Sequence, residues 1–306
     1  MKISEKLQII KRLSGLTQEQ LAKKLETSFA TLNSWINERS VPRKKAEEKI
    51  DTLYKEYTGQ KIIPADILLA KKKIIYKKNR LAGNILKLIL KRQDIYDSFM
   101  LLLTYNSNSI EGSTLSENET AQILFQNLSI PNKSLIEQME AKNHQAAWKY
   151  LITYLEGSSK FDEALIFKLH SILMNGIRDD AGFYRRNAVR IVGANVPTAN
   201  YIKVPDLMED LVKVINFKRG DVILHNTEIH SRFEQIHPFS DGNGRIGRLL
   251  MTAMLLKNNL PPAIIRQEKK QLYYAFLKKA QTQGDMSLLE DFICEAILEG
   301  FDILEI

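Results

Sequence analysis

Apolar residues recur three or four positions apart along most of the 306-residue chain, a spacing that places them on one face of an α-helix. In the first sixty residues this pattern predicts four short helices, near 4–14, 18–25, 28–37 and 44–57. Beyond them it predicts longer helices near 66–92, 93–107, 133–157, 161–177, 205–218, 221–235, 243–258, 268–282 and 286–304. The predicted fold is therefore mainly α.

One region departs from the helical pattern. Residues 188–205, AVRIVGANVPTANYIKVP, carry β-branched side chains on both sides of a segment rich in Gly, Asn and Pro. This composition is typical of two short strands joined by a turn. We therefore expect a small β-hairpin within an otherwise helical chain.

The N-terminal helices contain a recognisable arrangement of caps and apolar positions. In GLTQEQLAKKLETSFATLNSWINERSVPR, residues 15–43, Thr17 and Gln20 have the spacing of a capping box, and Ser28 can cap the next helix. The segment resembles the helix–turn–helix DNA-binding domains of phage repressors. The resemblance implies that the second helix enters the major groove. Base contacts would come from Phe29, Ala30, Thr31 and Ser34, and phosphate contacts from Gln18, Arg39, Arg43 and Lys44. A helical adaptor of the same shape that binds protein is the alternative.

Positive charge is concentrated in the same part of the chain. Residues 1–100 hold 22 Lys and Arg against 11 Asp and Glu, whereas the whole chain has a net charge of +8. Such asymmetry favours an anionic partner for the N-terminal third. Solvated helix faces are the alternative interpretation.

The remaining composition is that of a globular protein with a sizeable core, since 44% of the residues are hydrophobic and 26% are charged. Cys294 is the single cysteine, so an intramolecular disulfide is excluded, and its apolar neighbours indicate a buried side chain. No stretch approaches the ~18 apolar residues of a membrane span. We therefore expect a cytoplasmic location without a membrane partner.

The segment IHPFSDGNGRIGR, residues 236–248, carries the strongest chemical signal. Its Gly-Asn-Gly turn can direct backbone N–H groups at an anion, and the helix that follows adds partial positive charge. Arg245 and Arg248 share one helix face and can bind phosphate oxygens. Asp241 could hold Mg²⁺ beside phosphates, and His237 could accept a proton at neutral pH. The segment therefore predicts a polyphosphate site with a metal ligand and a base.

The same segment resembles the signature of the Fic family of adenylyltransferases, HxFx[D/E]GNGRxxR, and matches it at every position. The resemblance implies transfer of AMP from ATP to a Ser, Thr or Tyr hydroxyl of a target protein. It makes His237 the base and Asp241 the ligand of Mg²⁺ or Mn²⁺. The residues that would bind nucleotide phosphates are Gly242, Asn243, Gly244, Arg245 and Arg248.

The resemblance also implies a docking flap and a brake. The flap, residues 188–203, would pair with the target through Ile191, Val192 and Gly193 as an added strand. SNSIEG, residues 107–112, matches the inhibitory pattern [S/T]xxxE[G/N] through Ser107, Glu111 and Gly112. In relatives with this pattern the glutamate pairs with the second arginine of the signature, here Arg248. The γ-phosphate of ATP is then kept from its productive position.

These features predict three regions: a helix–turn–helix domain over 1–58, a helical linker over 59–100, and a Fic core over 101–306. Within the core we expect the inhibitory helix near 104–112 and the active-site segment at 237–248. The predicted function is autoinhibited AMP transfer. The alternatives are removal of AMP from a modified protein, and a DNA-binding regulator whose Fic core senses nucleotide. The oligomeric state, a homodimer included, is left open by the sequence.

Overall fold

The structure, a computed structural model, describes residues 1–157, 160–189, 196–217 and 220–306. Within them the chain forms α-helices and short helical turns, and no strand. The helices are α1 Ile3–Ser14, α2 Gln18–Lys24, α3 Phe29–Ile36, α4 Lys44–Tyr57, α5 Ala65–Ala82, α6 Ile85–Lys91, α7 Gln93–Glu111, α8 Glu117–Ala121, α9 Leu135–Gly157, α10 Glu163–Leu173, α11 Val204–Asn216, α12 Val222–Ile236, α13 Asn243–Lys257, α14 Lys270–Gln283 and α15 Ser287–Ile303. The mainly helical fold is confirmed.

The long helix predicted over 66–92 is divided in two. Gly83 has a φ of +67°, which ends α5, and the Asn84 side chain accepts a hydrogen bond of 2.8 Å from the Lys87 backbone to begin α6. Glycine adopts a positive φ at little cost, and asparagine is a favoured helix N-cap. These local signals override the apolar periodicity that runs across both helices.

The hairpin prediction is wrong at its C-terminal side. Tyr201–Lys203 forms a turn of 3₁₀ helix, and α11 begins at Val204. Pro205 lies in the first turn of α11, where its missing N–H removes no helical hydrogen bond. Residues 190–195, which include Ile191, Val192 and Gly193 of the predicted flap, lie outside the described residues.

The N-terminal helices begin where their caps predict. The Thr17 hydroxyl accepts a hydrogen bond from the Gln20 backbone at 3.2 Å, and the Gln20 side chain accepts one from the Thr17 backbone at 2.9 Å. The Ser28 hydroxyl accepts from the Thr31 backbone at 3.1 Å at the start of α3. The starts of α2 and α3 are therefore set by their capping residues.

Helix α13 is the central element of the packing. Its Leu250 and Met254 belong to a core built mainly from α9 to α12, whereas its Met251 and Leu255 belong to a second core. That second core is continuous from the N-terminal helices to α14 and α15. Because α13 is buried along its length, the residues at its N-terminus are held in a rigid setting.

Two further expectations can be compared with the structure. Cys294 is fully buried, and burial raises the pKa of its thiol to about 12, as befits a core residue. No helix in the described ranges is long and apolar enough to cross a membrane.

Candidate active site

The segment that joins α12 to α13 is shaped by two residues with positive φ. His237 directly follows α12 with a φ of +53°, and Gly242 precedes α13 with a φ of +75°. A β-carbon at position 242 would lie only 2.9 Å from the Met174 sulfur, so a side chain there would be both strained and crowded. The chain therefore leaves α12, turns sharply and enters α13 within six residues.

Asn243 and Phe239 close this loop. The Asn243 amide accepts a hydrogen bond from the Phe239 N–H and donates one to the Phe239 carbonyl, each of 2.8 Å. Phe239 is buried and stacks on His170, with 3.7 Å between ring centroids. The sequence predicts phosphate binding by Asn243, but in the structure its buried side chain holds the loop in shape.

His170 supports the loop from α10. Its Nδ1 accepts a hydrogen bond of 2.8 Å from the Gly182 N–H, which leaves Nε2 to donate to the Asp241 carbonyl at 3.1 Å. Burial lowers the pKa of His170 to about 4, so the ring is neutral at physiological pH. His170 therefore fixes the backbone at Asp241 without adding charge.

His237 is held as a neutral ring by a hydrogen bond from one of its ring nitrogens. Nδ1 donates to the Glu234 carbonyl at 3.2 Å, which leaves the lone pair on Nε2. The His237 carbonyl accepts a hydrogen bond of 2.7 Å from Nε of Arg185. Burial lowers the pKa of His237, so the imidazole is unprotonated and able to act as a base at neutral pH.

Asp241 offers a carboxylate at the mouth of the loop. Its side chain is 52% exposed, and Oδ1 accepts a hydrogen bond of 2.6 Å from the Gly242 N–H. The described residues contain no cluster of three or more His, Cys, Asp or Glu side chains that could surround a metal ion. A single accessible carboxylate suits Mg²⁺, which keeps most of its waters and takes phosphate oxygens as further ligands.

Arg245 is held by an acidic partner that the sequence does not reveal. Its side chain is 2% exposed, and Nη1 lies 2.5 Å from the Glu140 carboxylate on α9. Nη2 lies 3.6 Å from Oδ1 of Asp241. Arg245 therefore links Glu140 to the loop, and its guanidinium is less accessible than its predicted role as a phosphate ligand implies.

Arg248, one turn further along α13, is held by α7. Nε donates to the Ser107 hydroxyl at 2.9 Å, and Nη2 donates to the Ser107 carbonyl at 3.0 Å and to the Glu111 carboxylate at 2.7 Å. Burial lowers the pKa of Arg248, but the charge and hydrogen bond of Glu111, together with Tyr273 and Tyr274, more than offset this and leave the pKa raised. The arginine is therefore a permanent cation with a carboxylate in front of it.

Gly244 makes this approach of Glu111 possible. A β-carbon at position 244 would collide with Oε1 of Glu111 and would lie 3.0 Å from Nη1 of Arg248. Helix α7 ends at Glu111, and Gly112 follows with a φ of +114°. Glycines at positions 112 and 244 thus allow the end of one helix to meet the start of another.

Three supporting residues, Glu140, His170 and Arg185, are absent from the sequence-based prediction. Glu140 is 105 positions from Arg245, His170 is 71 positions from Asp241, and Arg185 is 52 positions from His237. No local pattern marks them, because each acts through a contact that only the folded chain creates.

The residues predicted to contact bases lie on α3, whereas Gln18, predicted to contact phosphate, begins α2. Phe29 is 47% exposed, Ala30 is exposed, and Thr31 borders a groove that is also lined by Arg43, Lys45 and Lys49. Ser34 is half-buried and shares a hydrogen bond of 2.7 Å with Ser40. Gln18 is half-buried at the start of α2.

Comparison with known proteins finds similarity to one family over the region of this site. Residues 160–255 match the Fic/DOC family. The chain is 34% identical over 207 residues to a protein adenylyltransferase Fic of Nematostella vectensis, which covers 65% of this chain and 47% of that protein. A protein adenylyltransferase Fic of Aedes aegypti is 30% identical over 204 residues, covering 65% of this chain and 40% of that protein. The chain thus spans less than half the length of these relatives.

Solved structures share the fold. A Fic domain containing signaling protein from Bacteroides thetaiotaomicron superposes with a TM-score of 0.67 at 24% identity, covering 77% of this chain and 98% of the other. Fic-1 from C. elegans gives a TM-score of 0.68 at 20% identity, covering 94% of this chain and 84% of the other. These structures share the fold of this chain, and its residues 160–255 match the Fic/DOC family.

Proposed function

We propose that this protein transfers AMP from ATP to a hydroxyl group of a target protein and releases pyrophosphate. The observation that carries the proposal is the neutral imidazole of His237, held with Nε2 available beside a glycine-rich helix N-terminus. A base next to an anion-binding helix start is what attack on a nucleotide phosphorus requires. Relatives named protein adenylyltransferase Fic support the same activity.

In the proposed reaction, Nε2 of His237 takes the proton of the target hydroxyl as its oxygen attacks the α-phosphorus of ATP. The bond from the α-phosphorus to the oxygen that bridges to the β-phosphate breaks, and pyrophosphate leaves with that electron pair. Backbone N–H groups at the start of α13 stabilise the negative charge of the phosphates. Asp241 would hold Mg²⁺ or Mn²⁺, which when bound neutralises phosphate charge.

The proposal includes an intramolecular brake. The contact of 2.7 Å between Arg248 and Glu111 occupies the guanidinium edge that would otherwise receive the γ-phosphate. Gly244 lets the Glu111 carboxylate approach α13, so an ATP molecule would have to displace it or bind unproductively. Movement of α7 away from α13 would therefore activate the enzyme.

A second activity, binding of duplex DNA, is proposed for residues 1–58, joined through 59–100 to the Fic core at 101–306. It is favoured by a specific observation: Thr31 on α3 borders a groove that is also lined by Arg43, Lys45 and Lys49, of which Lys49 is paired with Glu26 in the same groove. Cationic side chains beside an exposed helix fit phosphates that flank a major groove.

The proposed AMP transfer is tested by incubating the protein with cell lysate and ATP labelled on either the α- or the γ-phosphate. Label should reach protein from α-labelled ATP alone, and mass spectrometry of the labelled bands would identify the target. Label from γ-labelled ATP would instead indicate phosphate transfer. His237→Ala should abolish labelling while ATP still binds, since the phosphate-binding residues remain. Labelling by that variant at the wild-type rate would refute the assigned base.

A further inference from the structure

Glu234 is a buried acidic side chain with no part in the proposed mechanism. It lies on α12, one turn before His237, and is 6% exposed. Its Oε1 is buried and accepts no hydrogen bond from any described residue. A buried carboxyl oxygen without a donor is costly for a fold to keep.

A complementary unsatisfied group belongs to the neighbouring arginine. Nη1 of Arg248 is buried and donates no hydrogen bond to any described residue, although Nε and Nη2 both donate hydrogen bonds to α7. One donor and one acceptor are thus buried without partners in the same site.

Two glycines on one face of α13 admit two carboxyl groups. A β-carbon at position 244 would collide with Glu111, and a β-carbon at position 247 would collide with Oε1 of Glu234. Positions 244, 247 and 248 lie together on the helix surface, since residues three and four apart are neighbours. Glu111 therefore reaches Arg248 from the α7 side, whereas Glu234 approaches α13 at Gly247, the neighbour of Arg248 in the chain, from the α12 side without forming an ion pair with Arg248 among the described residues.

The charged and titratable groups around Glu234 come from three other helices. They are Arg248 on α13, Glu111 on α7, and Tyr273 and Tyr274 on α14. Both tyrosines are neutral because burial raises the pKa of their hydroxyls. Burial raises the pKa of Glu234 to about 8, with Arg248 lowering it and Glu111 raising it further. His230 on α12 and His237 directly after it are neutral as well, because burial lowers the pKa of both.

We propose that Glu234 is a positioning residue, the internal counter-ion of Arg248, and that it competes with whichever anion lies in front of the guanidinium. As a carboxylic acid it leaves the full charge of Arg248 to the Glu111 carboxylate or, on the proposed function, to the γ-phosphate of ATP. As a carboxylate it pairs with Nη1 and weakens both contacts. The proton on Glu234 thus sets how strongly Arg248 holds an external anion.

The sign of the pH effect follows from linkage. An anion in front of Arg248 favours the protonated form of Glu234, so, reciprocally, loss of that proton disfavours the anion. Raising the pH through the pKa of Glu234 should therefore weaken ATP binding once Glu111 is absent. Glu234→Gln imitates the carboxylic acid in shape and charge and should remove this dependence.

The test uses the full chain and measures MgATP binding by calorimetry for Glu111→Gly and for Glu111→Gly with Glu234→Gln. At pH 6.5 the two dissociation constants should agree within about twofold. At pH 9 the double variant should bind at least about threefold more tightly, because its Arg248 has no internal competitor; threefold is roughly 0.65 kcal/mol. Equal affinities at pH 9, or weaker binding by the double variant, would overturn the proposal.

A second measurement needs no nucleotide and separates this inference from the proposed function. The drop in Tm caused by Glu111→Gly should shrink from pH 6.5 to pH 9, because ionised Glu234 already weakens the Glu111 contact. With Glu234→Gln present, the drop should be the same at both pH values. If ATP fails to bind but the Tm pattern appears, the nucleotide function fails and the counter-ion role stands. A Tm drop independent of pH in both backgrounds refutes the counter-ion role.

Discussion

Replacement of Glu111 by glycine is the sharpest test of the proposed brake. The change removes the carboxylate that lies 2.7 Å from Nη2 of Arg248, but leaves the two hydrogen bonds from Arg248 to Ser107. The guanidinium therefore stays in position while its front edge becomes available to the γ-phosphate. Because Glu111 is the last residue of α7, a glycine there disturbs little helix.

The size of the effect follows from the setting of the ion pair. A hydrogen bond between charged groups contributes ~1.5–3 kcal/mol. The Arg248 side chain is 7% exposed but that of Glu111 is 32% exposed, so solvent weakens the contact and the lower end applies. Since about 1.4 kcal/mol corresponds to a factor of ten, AMP transfer should rise at least about tenfold if release of Arg248 limits the rate.

The assay measures incorporation of α-labelled AMP into protein for wild type, Glu111→Gly, and Glu111→Gly with Arg248→Ala. The Arg248 change should cancel the gain, because the freed arginine is what activation requires. Glu117→Gly serves as a matched control, since it removes an exposed glutamate from the start of the next helix, α8. Its rate should equal that of wild type.

Two results would refute this reasoning. Unchanged transfer in Glu111→Gly would mean that its contact with Arg248 does not limit catalysis. Loss of AMP release from a premodified target, with no gain in transfer, would instead favour the AMP-removing alternative, in which the glutamate positions the attacking water. Release should therefore be measured beside transfer over a range of Mg²⁺ and Mn²⁺ concentrations.

The remaining predictions concern the metal, the loop, the buried acid and the N-terminal domain. Asp241→Ala should make nucleotide binding independent of Mg²⁺ in calorimetric titrations. Asn243→Ala should lower the free energy of unfolding by about 1–3 kcal/mol in urea titrations, because two buried backbone groups lose their partner; an unchanged unfolding midpoint would contradict this. The Tm of Glu234→Gln, measured relative to that of wild type, should rise from pH 5 to pH 8. In the wild type, Glu234 has a native pKa near 8, above that of the unfolded chain, so folding takes up a proton in this range and the wild type loses stability as the pH rises. Arg43→Ala should weaken binding of residues 1–57 to every duplex alike, and the slope of the logarithm of the binding constant against the logarithm of the salt concentration should become smaller by about one. Thr31→Val should instead change sequence preference. Absence of binding to any duplex at low salt would favour a protein-binding adaptor.

Features set by near neighbours in the chain could be predicted from the sequence. The capping box at Thr17 and the N-cap at Ser28 act over three residues, so the starts of α2 and α3 follow directly from residue type. Apolar periodicity likewise gives most helices, and the 13 residues 236–248 resemble the Fic signature. The divided helix at Gly83 shows the limit of periodicity, since one left-handed residue outweighs the pattern on both sides of it.

Features set by distant residues required the tertiary structure. The sequence shows the two arginines of the signature, but only folding brings Glu140 to Arg245 and leaves Glu234 beside Arg248 without a hydrogen-bond donor. The protonation states of His237 and Glu234 also required the tertiary structure, because burial lowers the pKa of His237 and raises that of Glu234. The sequence determines which groups can titrate. Packing determines how much water and which charges surround each group, and these decide whether it titrates near neutral pH.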